Sequence, residues 1–177
     1  MRVRTLILAA TLACSPALFA TDTITQAQLD DTLLKAQQSI EAREYDQAFE
    51  LYSQAAHWGH KGAQYVLGEM YLRGEGTQQN DVLGLAWLDA AAESRNRDFV
   101  RARNKAEDQL NAADIEKAEK VAEQNISAYG IEATGMTCKK EMRVGSNIKV
   151  VNCYHKRGKG DTIYVPEYKG DFQLAAS

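Results

Sequence analysis

Three histidines, three cysteines and a few adjacent acids are the residues of this chain best equipped for chemistry. His57 and His60 form an H-x-x-H pair beside Trp58 and Gly59 at the end of a helical pattern. A zinc site needs three or four donors, and this pair has no third ligand nearby in sequence. Cys138, Cys153 and His155 supply three donors, at a spacing unlike the familiar zinc sites. An even pair of cysteines in an oxidising compartment reads instead as one disulfide, Cys138–Cys153. Lys156-Arg157-Gly158-Lys159-Gly160-Asp161 has the composition of a phosphate loop without its spacing, so it reads as a basic turn between strands. Neither G-x-S-x-G nor H-E-x-x-H occurs. Asp30-Asp31 and Glu107-Asp108 are most simply solvated helix faces. The expectation is a protein with no catalytic residues, no cofactor and no metal: a binding protein, not an enzyme.

The chain of 177 residues begins like a secretory signal. Arg2 and Arg4 precede an apolar run from Leu6 to Ala13, and Ser15 to Ala20 supplies small residues for cleavage. The run is too short for a stable bilayer-spanning helix. Cys14 invites a lipoprotein reading, but Thr11-Leu12-Ala13-Cys14 matches that pattern poorly. Cleavage after about Ala20 and a periplasmic or secreted location are therefore expected, with no transmembrane span afterwards. Charge is uneven in the remainder. Residues 21–134 carry a net −9 and residues 135–177 a net +4. An acidic body argues against nucleic acid as its partner.

The elements that must position these residues are mostly helical. Leu29, Leu33, Ala36 and Ile40 make one face over residues 26–42, opened by a Thr25/Gln28 capping box. Tyr45, Ala48, Phe49, Tyr52, Ala55 and Ala56 make the next face, and Gly59 stands where a left-handed stop belongs. Ala63, Val66, Leu67 and Met70 follow, ending in Arg73-Gly74-Glu75-Gly76. Asn80 caps a helix to about Glu93 that is apolar nearly all round, so it should be central, with neighbours on two sides. Stripes at Phe99, Ala102, Ala106, Leu110 and at Ile115, Ala118, Val121, Ala122, Ile126 give two more helices, with Asn111 capping the second.

From Met136 the pattern changes to two strands, Met136–Val144 and Asn147–Tyr154. Gly145-Ser146 between them suits a two-residue type II′ turn. Pairing Val144 with Asn147 makes opposed residue numbers sum to 291, as Cys138 and Cys153 do. The turn thus sets the cysteines opposite each other, as a hydrogen-bonded pair about 5.5 Å apart at Cα. Thr162–Val165 reads as a third strand, and residues 173–177 as a frayed end.

An internal repeat appears on a shift of 36, which lays Ala48 on Gly84, Leu51 on Trp87, Tyr52 on Leu88 and Ala55-Ala56 on Ala91-Ala92. Ala63, Leu67-Gly68, Tyr71, Gly74-Glu75-Gly76, Asp81, Ala86-Trp87 and Ala90-Ala91-Ala92 then follow A-x-x-x-L-G-x-x-Y, a G-x-G loop and W-x-x-x-A-A. In these residues the chain resembles the Sel1-like repeats, relatives of the tetratricopeptide repeats. The resemblance spans one full unit, with only the second helix of the unit before it, and residues 98–128 read as a capping pair. It implies a mainly α fold: a short α-solenoid of antiparallel helix hairpins over residues 21–130, followed by a small disulfide-linked β appendage over 135–177. Ala63, Leu67, Gly68, Tyr71, Gly74, Gly76, Trp87, Ala90 and Ala91 are packing residues on this reading. It also implies an adaptor that holds protein partners on a helical surface, here exported into the bacterial cell envelope. Trp58, His60, Tyr65, Arg73 and Glu75 are the candidate contacts. An inhibitor or immunity-type protein against an envelope enzyme or toxin is the alternative, with a cell-wall hydrolase ranked behind it. Lys139, Lys140, Arg143 and Lys149 make the hairpin basic, suited to an acidic partner or an anionic envelope surface, or simply to capping the helices.

Overall fold

A computed structural model describes residues 23–158 and 161–165. The signal segment 1–20 with Cys14, Lys159-Gly160 of the basic turn, and residues 173–177 lie outside the described residues. Six helices run in chain order: α1 (Gln26–Ala42), α2 (Tyr45–His57), α3 (Lys61–Arg73), α4 (Asp81–Ala92), α5 (Arg97–Glu107) and α6 (Ala112–Tyr129). Local chemistry sets their starts. Thr25 and Gln28 form the capping box of α1, and Asn80, Asn96 and Asn111 each accept a backbone N–H at the start of α4, α5 and α6.

Each helix from α1 to α4 packs on the next, and α6 returns to α4 rather than to α5, so α4 lies against α3, α5 and α6. That central position accounts for its composition: Leu85, Ala86, Leu88, Ala90 and Ala91 are wholly buried. The α3–α4 crossing is close because two glycines meet there. A Cβ on Gly68 would lie 2.9 Å from the Gly84 carbonyl oxygen, and one on Gly84 would lie 2.6 Å from a Leu72 methyl. Gly76, in the loop after α3, holds φ +71° with its Cα pressed toward the Tyr45 carbonyl, so any side chain there meets both strain and backbone.

The main core joins α1, α2, α3, α4 and α6. It contains Leu29, Ala55, Ala56, Ala63, Leu67, Tyr71, Trp87, Ala90 and Tyr129. Ile163 and Val165 belong to the same cluster. They arrive by a short antiparallel sheet in which β1 (Thr23–Thr25) pairs with β4 (Thr162–Tyr164), so the last described strand lies across the start of α1. The third strand thus pairs with β1, a three-residue strand just before α1 that the residue pattern does not predict.

The hairpin consists of β2 (Thr137–Met142) and β3 (Lys149–Tyr154), with Cys138 opposite Cys153 in the expected register. The disulfide is formed. Its turn differs from the expected one. Arg143 N–H donates to Ile148 C=O (2.9 Å), and Ser146 N–H donates to Arg143 C=O (3.0 Å). Gly145, third in that inner turn, has φ +76°, as a type II turn demands. The loop is therefore four residues, Val144–Asn147. Moving the first hydrogen-bonded pair from 144/147 to 143/148 turns Cys138/Cys153 into a non-hydrogen-bonded pair. Such pairs lie closer together, and the Cα atoms are 4.0 Å apart rather than about 5.5 Å.

Candidate interaction surface

Buried polar groups fix what the surface can present. Lys61 is 3% exposed at the start of α3. Its Nζ donates to Gln64 Oε1 (3.0 Å), the Ala90 carbonyl (2.9 Å) and Glu93 Oε2 (2.8 Å). Burial lowers the Lys61 pKa, and the Glu93 carboxylate opposes that shift. Glu93 Oε2 also accepts the Ile131 N–H (2.9 Å) just past α6. Gln64 Nε2 donates to the carbonyls of Ala56 (3.1 Å) and Tyr129 (3.0 Å). Two neighbouring side chains on α3 thus tie α2, α4 and α6 together. Beside them His57 is enclosed, its ring edge-on to Trp87 (5.1 Å) and Tyr129 (4.7 Å), its Nδ1 2.7 Å from the Ser53 carbonyl oxygen.

The H-x-x-H pair is therefore divided between two structural jobs. His57 fills the core, while His60 Nδ1 accepts the Ala63 N–H (3.0 Å) as the N-cap of α3. Burial, then the nearby His155, hold the His60 pKa down at about 4, against a weaker pull from Asp30. An acceptor at Nδ1 requires the neutral ring that this low pKa maintains. Nε2 of His155 lies 2.9 Å from the Trp58 carbonyl oxygen, and burial lowers its pKa as well. Among the described residues no group of three or more His, Cys, Asp or Glu side chains is placed to hold a metal.

The five candidate contacts from sequence fall into two sets. Trp58 packs against the core, and His60 caps α3. Tyr65, Arg73 and Glu75 lie along α3 and its following loop. Tyr65 is half-buried and stacks on Phe99 of α5, with ring centroids 4.9 Å apart and planes 17° apart. Burial and then Glu69 raise its pKa, and Arg73 opposes them. Arg73 pairs with Glu69 and approaches Glu75 at 3.6 Å, with its side chain 56% exposed. The α3–α5 face therefore offers an aromatic pair beside a cation held between two acids. Phe99 was read from sequence only as a stripe residue; its pairing with Tyr65 crosses 34 positions and has no local signature.

Two open grooves flank this framework. One, of about 550 Å³, lies between the α4–α5 turn and the hairpin base, lined in part by Glu93, Arg95, Glu132, Met136 and Lys156. The other, of about 310 Å³, is acidic and lies between α4, α5 and α6, lined by Asp89, Glu93, Arg103, Glu119, Glu123 and Ile126 among others. Arg103 Nε donates to Asp89 at 2.6 Å and also pairs with Glu107. Burial raises the Asp89 pKa, and Arg103 opposes it. Among the described residues no helix is long and apolar enough to cross a membrane.

Stacked antiparallel helix pairs, a glycine-mediated crossing and surface-lying polar side chains define a helical-repeat protein. The Sel1 repeat family model matches residues 40–60 and 62–96. Residues 40–60 and 62–96 are thus similar to Sel1 repeats, a fold of the protein-interaction scaffold kind. The first match enters only at the end of α1, in keeping with the weaker first unit. A solved structure, that of a protective antigen present in uropathogenic Escherichia coli strains displaying an SLR fold, is 30% identical over 58% of this chain and 23% of that one, with a TM-score of 0.49. This chain thus spans less than a quarter of that antigen's length. No curated protein matches the sequence.

Proposed function

We propose that this chain is an exported, non-enzymatic adaptor of the bacterial cell envelope that holds protein partners along the α3–α5 face. The observation that carries the reading is the pre-ordered surface made by Tyr65 on Phe99 and by Arg73 between Glu69 and Glu75. An aromatic pair and an arginine fixed by its own ion pairs lose little freedom on binding, and these residue types anchor interfaces. Export is supported by the tripartite pattern of residues 1–20.

The test is capture of tagged protein after crosslinking in its native envelope, with Arg73→Glu/Glu75→Lys as the control surface. Recovery of partner proteins by the wild type, lost in the variant at unchanged thermal stability, is the expected result. Partners retained by the variant would place binding elsewhere. A single stoichiometric enzyme whose activity falls on binding would replace the adaptor with an inhibitor. Mass spectrometry of the exported chain should find Thr21 at its N-terminus, and an intact leader on cytoplasmic protein would refute export.

A further inference from the structure

The β2–β3 hairpin stands off the helices as an arm, and its distal half has unusual composition. Met142 is 58% exposed, Ile148 56% and Val144 wholly exposed. These three aliphatic side chains cluster around one four-residue loop, and no described residue covers them. Lys139 and Lys140 stand behind them, and Arg143 and Lys149 stand level with Ile148 and Met142, all four exposed. The single carboxylate of the arm, Glu141, accepts hydrogen bonds from Tyr154 Oη (2.5 Å) and Asn152 Nδ2 (3.0 Å). The arm thus carries a net +3 over residues 137–154, on a chain whose residues 21–134 sum to −9.

Alternation along the strands distributes these groups evenly. Lys140 and Met142 share one face with Lys149, and Lys139 and Arg143 share the other with Ile148. A protein surface docked on one face would leave the cations and the aliphatic residue of the other face in water. A medium that surrounds the tip satisfies both faces at once. Strand rise of about 3.3 Å per residue places Lys140 about 13 Å behind Val144, at the depth of lipid headgroups, and Arg143 and Lys149, level with Ile148 and Met142, reach that depth through their long side chains. The disulfide at the base pre-orders the arm and lowers the cost of presenting it.

We propose that the hairpin arm is a membrane-docking element that inserts Met142, Val144 and Ile148 shallowly into an anionic phospholipid surface, with Lys139, Lys140, Arg143 and Lys149 on the headgroup phosphates. The acidic helical body is repelled by the same surface and points away, leaving the α3–α5 face free. The inference does not depend on the adaptor reading.

The experiment is co-sedimentation of the chain from Thr21, which contains every described element, with two kinds of vesicle: phosphatidylcholine alone, and two parts phosphatidylcholine to one part phosphatidylglycerol. Binding is expected to the second kind only, and to weaken as salt rises. Lys139→Ala/Lys140→Ala should weaken it by about thirtyfold, each cation near an anionic surface being worth about fivefold. Val144→Asp/Ile148→Asp should weaken it by at least about tenfold. All four positions are exposed, so circular dichroism should show both variants folded. A wild-type chain that stays in the supernatant with phosphatidylglycerol vesicles overturns the proposal. So do variants that sediment like the wild type, or an arm that binds an acidic polypeptide column but not vesicles. Failure of partner capture with vesicle binding intact would fault the adaptor reading alone.

Discussion

In the helical body Trp87, Tyr129, Leu67 and Leu85 are almost completely enclosed, whereas no residue from Thr137 to Tyr154 is buried. Both regions are regular secondary structure, yet they are ordered by different physics. The body gains its order from apolar burial spread over many residues from five helices and the β1–β4 sheet. A lone two-stranded hairpin is at best marginal in water. The arm depends on its turn, its ladder and one covalent bond. Packing should therefore govern the body, and redox state the arm.

The largest effect should come from removing a body anchor. Trp87→Ala empties the space between His57 and Tyr129 and should cost about 4 kcal/mol in urea unfolding. A cost below about 1 kcal/mol would mean that the core collapses around the gap and is not closely packed. Lys61→Met comes next. It deprives Glu93, the Ala90 carbonyl and Gln64 of their shared donor, and should cost about 3 kcal/mol. Adding Glu93→Gln should recover part of that loss, because no unpaired carboxylate then remains. A second substitution that only adds to the damage would show that the ion pair is not what Lys61 contributes.

These two residues also mark how far the sequence could be read. Trp87 was legible because it sits in a pattern: W-x-x-x-A-A, repeated at a shift of 36 in Leu51 and Ala55-Ala56. The caps at Thr25, Asn80 and Asn111 were legible because a cap is a local event. So was the cysteine register, which one addition fixes. Lys61 was not, because its partners Ala90 and Glu93 lie 29 and 32 residues away, and Gln64 reaches Tyr129 across 65. Burial of a lysine beside a charged helix start has no sequence signal. The hairpin turn was misjudged by one residue on each strand because Gly-Ser fits two turn types, and only the ladder decides between them. Strand β1 is three residues long and pairs with the far end of the chain, beyond any local pattern.

A smaller and more selective effect should follow acidification. His60 has a native pKa of about 4 against an ordinary 6.5, held there chiefly by burial. Between those values the unfolded chain binds a proton that the native chain does not. Stability is therefore flat above about pH 6.5 and falls as pH drops toward 4, by about 2 kcal/mol from this group after allowing for partial exposure. His155, also lowered by burial, acts in the same direction. His60→Asn keeps an N-cap acceptor and removes the titration. Urea unfolding of this variant at a series of pH values should show a shallower acid limb than the wild type. Parallel profiles would assign the acid sensitivity to other groups.

The smallest change expected in the body comes from the largest chemical change in the arm. The Cys138–Cys153 bond closes a loop of 15 positions, which chain entropy values at about 3 kcal/mol. In a single cooperative unit, Cys138→Ser/Cys153→Ser would lower global stability by about that amount. Here the arm shares almost no burial with the helices, and its two ends are tied down separately. Met136 is buried on one side; on the other His155 bonds to Trp58, and Ile163 sits in the main core. The variant should therefore lose hydrogen-exchange protection by about a hundredfold at the ladder amides of β2 and β3, while global stability moves by no more than about 0.5 kcal/mol. Loss of protection at Leu67 and Trp87 in step with the arm would abolish the distinction between the two regions. The disulfide would then be a staple of the whole fold rather than the device that keeps an exposed tip in shape.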